Sequence, residues 1–109
     1  MQLGSFAPGY DRRMRELDPD SFDAAIAGGP VVVDFWAPWC RPCKALEPIL
    51  EELPLEVARV NIDEEVGLAS RYEVLSIPTV ILFEGGEARE TVIGARPKKH
   101  FAQAFASYL

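Results

Sequence analysis

The stretch Val31-Val32-Val33-Asp34-Phe35-Trp36 runs directly into Ala37-Pro38-Trp39-Cys40-Arg41-Pro42-Cys43-Lys44. Its first part is β-branched and aromatic with almost no alternation, the pattern of a strand covered on both faces and so central in a sheet. From Cys40 to Leu53 the apolar residues Ala45, Leu46, Ile49, Leu50 and Leu53 fall three and four apart, which predicts a helix kinked at Pro48. A strand therefore hands over to a helix at Cys40. Cysteine at a helix N-terminus lies beside unpaired backbone N–H groups and the positive end of the helix dipole, both of which favour thiolate over thiol. Cys40 is thus the expected nucleophile. Cys43, on the same side one turn deeper, is placed to reach the Cys40 sulfur while shielded from solvent. Pro42 falls in the first turn, where its missing N–H breaks no bond.

Outward from this stretch the chain alternates. Residues 1–11 hold Gly4, Ser5, Pro8 and Gly9 with no sustained period and are expected to form a flexible extension, leaving 12–109 as one domain. Arg12 to Leu17 fits a short edge strand. Asp18-Pro19 offers a cap and a first-turn proline for a short helix through Phe22, Ala25 and Ile26 to Gly28-Gly29. Glu56 to Ile62 fits a second strand, and Val66, Leu68, Ala69 and Tyr72 a further helix. Thr79 to Phe83 and Ala88 to Ile93 flank Gly85-Gly86 as a hairpin. Pro97 opens a terminal helix with Phe101, Ala104 and Phe105 on one side. The fold class expected is α/β, a single domain with a central mixed β-sheet flanked by helices.

Composition narrows the function. With 109 residues, 49% hydrophobic and 26% charged, the chain suits one globular core. A net charge of −6 without a Lys/Arg run disfavours nucleic acid as a partner. No apolar run is long enough to span a bilayer, so no membrane partner is expected. Arg12, Arg13 and Arg15 are not followed by the apolar block of a secretory signal, and the expected location is cytoplasmic. A bridge between two cysteines three positions apart removes little unfolded-state entropy, so their spacing calls for a chemical explanation.

The chain resembles the thioredoxin family in Val33-Asp34-Phe35-Trp36-Ala37-Pro38-Trp39-Cys40-Arg41-Pro42-Cys43-Lys44. The likeness continues in Pro48-Ile49-Leu50, Val60-Asn61-Ile62-Asp63, Ile77-Pro78-Thr79 and Val92-Ile93-Gly94-Ala95. The resemblance implies a thioredoxin fold and a thiol–disulfide oxidoreductase that reduces protein disulfides. Cys40 would attack the client disulfide and Cys43 would resolve the mixed disulfide, leaving the two bridged. Asp34 would match the buried acid that exchanges a proton with Cys43, and Arg59 the cation near that acid, where the family usually has lysine. Pro78 would be the cis-proline facing the disulfide. Trp39, Arg41, Pro42, Ile77, Pro78 and Gly94 would form the substrate-binding surface. No cofactor beyond the Cys40–Cys43 disulfide and no metal is implied. The implied partners are disulfide-containing client proteins and a thioredoxin-reductase-like electron donor, with the protein itself a monomer. Arg41 replaces the glycine most common between the cysteines, which is expected to lower the Cys40 pKa and make the protein less reducing. Between Leu50 and Val57 the chain is shorter than the family norm, with Pro54 ending the helix early.

Other readings exist for the same residues. Two close cysteines are half of a zinc site, but the only histidine, His100, falls in another helix. They could be inert core thiols, although Trp-Cys-Arg-Pro-Cys is polar for a core segment. Asp34 taken alone would by default be satisfied by local hydrogen bonds. Trp36 favours packing, His100 a surface position, and Glu51-Glu52 with Glu64-Glu65 a solvated face. Two further functions compete: a redox-independent thioredoxin-fold binding subunit, and a more oxidising disulfide oxidase or isomerase.

Overall fold

The computed structural model describes residues 14–109. The expected extension at 1–11 and the first residues of the expected edge strand lie outside that range. In chain order the elements are β1 (Arg15–Glu16), α1 (Pro19–Ile26), β2 (Val31–Trp36), α2 (Arg41–Glu51), β3 (Glu56–Asn61), α3 (Val66–Arg71), β4 (Thr79–Glu84), β5 (Glu87–Ile93) and α4 (Lys98–Ala104), closed by a 3₁₀ turn at Ala106–Tyr108. Among the described residues the strands form one sheet in the order β1-β3-β2-β4-β5. Strand β3 runs parallel to β1 and β2, whereas β4 is antiparallel to both β2 and β5. The sheet is therefore mixed and β2 is its centre. Among the described residues no helix is long and apolar enough to cross a membrane.

The centre of the sheet is apolar on both faces because each face is covered. Val31, Val33 and Phe35 pack with Phe22 and Ile26 of α1 and Leu68 of α3, while Val32 packs with Leu46 and Leu50 of α2 and Phe101 and Phe105 at α4. Successive side chains along a strand point to opposite faces. Asp34 and Trp36 thus share the face of Val32, the face on which α2 packs.

The local starts and stops have local causes. Asp18 caps α1 by accepting from the N–H groups of Asp20 and Ser21, and the Ser21 hydroxyl returns to the cap backbone. Gly85 and Gly86, at φ of 62° and 83°, make the two-residue hairpin turn between β4 and β5. Helix α2 runs continuously through Pro48 and ends at Glu51, two residues before the expected Leu53. Pro54 supplies the reason, because the residue before a proline is pushed away from helical backbone. Leu53 is nevertheless buried.

Candidate active site at the start of α2

Cys40 is the N-cap of α2, with Arg41 and Pro42 in its first turn. The two cysteines are joined as a disulfide with their Cα atoms 5.3 Å apart. The Cys43 backbone N–H donates to Cys40 Sγ at 3.2 Å, so one of the helix's otherwise unpaired donors is spent on that sulfur. Cys40 keeps 4% of its surface and Cys43 none. The sequence reading expects an open nucleophile over a shielded partner. The order of access is as expected, but the opening is narrow, because Trp36, Ala37 and Ile77 pack around the bridged pair. Both thiols are consumed in the bridge, and among the described residues no group of His, Cys, Asp and Glu could hold a metal.

Ile77–Pro78 is a cis peptide bond, and its isoleucine belongs to the cluster around the cysteines. The Pro78 carbonyl accepts from the Gly94 N–H at 2.8 Å. Gly94 sits at φ 99°, a backbone region that side-chain-bearing residues rarely enter. Glycine there lets the turn after β5 close onto Pro78. Cys40, Ile77, Pro78 and Gly94 are therefore linked by contacts into one patch, of which Ile77 and Gly94 are half-buried and Cys40 and Pro78 nearly closed off. Trp39 projects from its rim, 67% exposed, and donates its indole N–H to Asp63 Oδ2 at 2.9 Å. Arg41 and Pro42 are exposed beside it.

Asp34 has no exposed surface, and neither carboxylate oxygen has a hydrogen-bond partner among the described residues. No described protein group therefore satisfies the carboxyl, in contrast to the default for the residue read alone. Burial pushes its pKa up to about 7; the Arg59 charge opposes that shift, and Glu47 and Glu16 add to it. Arg59 is in register with Asp34 on the neighbouring strand but does not bond to it. Its guanidinium lies 3.7 Å from the centre of the Trp36 ring, is paired with Glu16, and donates to Glu47 Oε2 at 2.8 Å. The cation is thus committed to two other carboxylates and acts on Asp34 only through space.

Sequence reading did not single out Glu16, Glu47 or Asp63. Glu47 had a usable signal, since it falls one turn after Cys43 on α2. Glu16 and Asp63 had none, because they reach Trp36 and Trp39 from chain segments brought close only by the fold.

Chemically, a bridged cysteine pair at a helix N-terminus, with a buried carboxyl on the sheet face that the helix covers, is equipped to pass two electrons to and from another disulfide. Comparison with known proteins agrees with that chemistry. A family model described as Thioredoxin matches residues 13–107. The chain is 42% identical over 100 residues to a thioredoxin of Staphylococcus epidermidis, covering 86% of this chain and 96% of that one. It is 46% identical over 86 residues to a chloroplastic M-type thioredoxin of Spinacia oleracea, covering 73% of this chain but 48%, about half, of the spinach protein. Among solved structures, a mutant thioredoxin from Halobacterium salinarum superimposes with a TM-score of 0.79 at 32% identity, covering 96% of each chain. The chain has the thioredoxin fold and the dithiol–disulfide chemistry that goes with it, and it belongs to the thioredoxin family.

Proposed function

We propose that this protein carries electrons to disulfides of client proteins, with Cys40 as nucleophile, Cys43 as resolving thiol and Asp34 as proton acceptor. In the reduced protein the Cys40 thiolate attacks one client sulfur, and the other client sulfur leaves as a thiolate. Cys43 then gives its proton to Asp34 and attacks the Cys40 sulfur, expelling the second client thiolate. The client gains two electrons, and its two thiolates take up one proton from Asp34, which returns to its carboxylate, and one from water, into which Cys40 had ionised; this protein ends with the Cys40–Cys43 bridge. A flavin- or thiol-dependent reductase of the thioredoxin-reductase kind restores the dithiol.

One observation supports this reading most: a fully buried carboxyl, without a hydrogen-bond partner among the described residues, lies on the sheet face packed by the helix that presents the cysteine pair. A buried unpaired acid is costly, and such groups cluster where proton transfer is needed. The groove of Trp39, Arg41, Pro42, Ile77, Pro78 and Gly94 serves as the client surface for an extended segment. Because the carrier must be returned to its dithiol, a reducing compartment such as the cytoplasm suits it.

The test is reduction of an accessible protein disulfide under a continuous supply of electrons. Cys40→Ser is expected to abolish turnover, and Cys43→Ser to stop it at a trapped mixed disulfide. Full activity in Cys40→Ser would overturn the proposal. Partner binding and cellular function surviving the double Cys→Ser change would point instead to a redox-independent binding subunit.

A further inference from the structure

We infer that the client groove is framed by cations and selects disulfides flanked by acidic residues, an inference that rests on the reductase reading above. The chain as a whole is acidic, at −6, and would repel an acidic segment from most of its surface. Most of its described cations are cancelled locally. Arg15, Arg59, Arg71, Arg89 and Lys98 each pair with a carboxylate. Among the described residues Arg41, Lys44, Arg96 and Lys99 make no ion pair; the first two stand on the helix that carries the cysteines and Arg96 on the turn after Gly94, while Lys99 belongs to α4.

The placement is two-sided. Arg41 follows Cys40 directly, and Lys44 shares its helix face one turn on. Arg96 stands on the opposite bank, two residues after Gly94, whose N–H holds the Pro78 carbonyl. Its side chain is not left to wander. Arg96 Nε donates to the Ile93 carbonyl at 3.2 Å, and a Cβ placed on Gly94 would lie 3.7 Å from the same nitrogen. The guanidinium is therefore held against the turn at Ile93 and Gly94, and its two terminal nitrogens make no hydrogen bond or ion pair among the described residues. An extended client segment crossing from Cys40 to Gly94 passes between Arg41 and Arg96, and a carboxylate on either side of its attacked cysteine meets one of them. Asp63, the acid on the Trp39 side, already accepts from the indole.

The probe is a pair of disulfide-bonded peptides, identical except for Glu or Lys at the residues flanking the attacked cysteine. At low salt the Glu peptide is expected to be reduced about tenfold more efficiently than the Lys peptide, as judged by kcat/KM, with most of the difference in KM. Arg96→Gln should cut that ratio roughly two- to threefold, Arg96→Lys should largely preserve it, and Arg41→Gln with Arg96→Gln should bring it near unity. About 0.5 M salt should do the same to the native protein. A ratio near unity in the native protein, or one that survives the double change or high salt, overturns the inference. A second arm uses the same peptides with Ser for Cys and reads binding by Trp39 fluorescence. Retained Glu preference in binding, with neither disulfide peptide reduced, would refute the reductase reading and leave the docking inference standing. Turnover without preference would do the reverse.

Discussion

Asp18, at the start of α1, and Asp34, in the middle of β2, are the same side chain in opposite surroundings. Asp18 is exposed, and its carboxylate accepts from two backbone N–H groups and the Ser21 hydroxyl at about 3 Å. The Ser21 side chain and backbone bonds hold its pKa below the ordinary value. Asp34 is buried, accepts from nothing among the described residues, and burial raises its pKa to about 7. Every donor around Asp18 favours the charge; the low-dielectric packing around Asp34 disfavours it. The two carboxyls therefore pull stability in opposite directions as pH changes.

For Asp34 the unfolded chain releases its proton near 3.8 and the folded chain near 7. Between those values the folded state binds more protons, so stability falls as pH rises and levels off above about 7. At about 1.4 kcal/mol per pH unit the window is worth roughly 4 kcal/mol. Asp34→Ala, studied in the oxidised protein, should abolish this decline. At pH 8 the variant should be more stable than the native protein by roughly 3 kcal/mol, the gain being trimmed by the small void left behind. At pH 4 the advantage should vanish. Urea unfolding at both values checks this; a native protein equally stable at pH 4 and pH 8 would break the contrast. The same change should slow disulfide exchange by about 100-fold if Asp34 takes the Cys43 proton.

Arg59→Met sharpens the contrast from the other side. Arg59 is the first influence opposing the raised pKa of Asp34, so its loss should extend the decline in stability to higher pH. A second effect is independent of Asp34. Methionine keeps an apolar stem over Trp36 but leaves Glu16 and Glu47 without the cation between them, at a cost of about 1–2 kcal/mol near pH 7. Unfolding curves from pH 5 to pH 9 separate the two, because the pairing loss lowers the whole profile and the Asp34 effect moves its upper bend.

Why one aspartate could be interpreted from sequence and the other only in part follows from where their partners lie. The cap at Asp18 is written within four residues, with Pro19 and Ser21 in place. The central strand, the helix stripe of Leu46 and Leu50, the glycine hairpin and the cysteine pair are likewise local patterns, and they were enough for the fold. Asp34 was legible as a polar residue in an apolar strand, but not as one without a partner. That depends on Arg59 being claimed by Glu16 and Glu47, which come from β1 and α2. Trp39 was legible as lying next to the nucleophile, not as tethered to Asp63. The early end of α2 was half legible: Pro54 foretold the stop, while the buried position of Leu53 extended the apolar stripe beyond the last helical residue.

The smallest expected effect belongs to Asp18→Ala. Its carboxylate caps α1 best while ionised, so the charge-dependent part of the stability it contributes is present above its unfolded-state pKa and is lost as pH falls through the lowered folded value. Alanine should lower Tm by a few degrees at pH 7 and by less at strongly acid pH, as the native carboxyl takes up its proton. Asp18→Asn keeps an acceptor oxygen without the charge and should retain most of the cap at both values. A variant whose deficit persisted unchanged at pH 2 would mean that Asp18 serves α1 by shape rather than charge. Asp34 would then be the one aspartate of the two whose ionisation governs the fold.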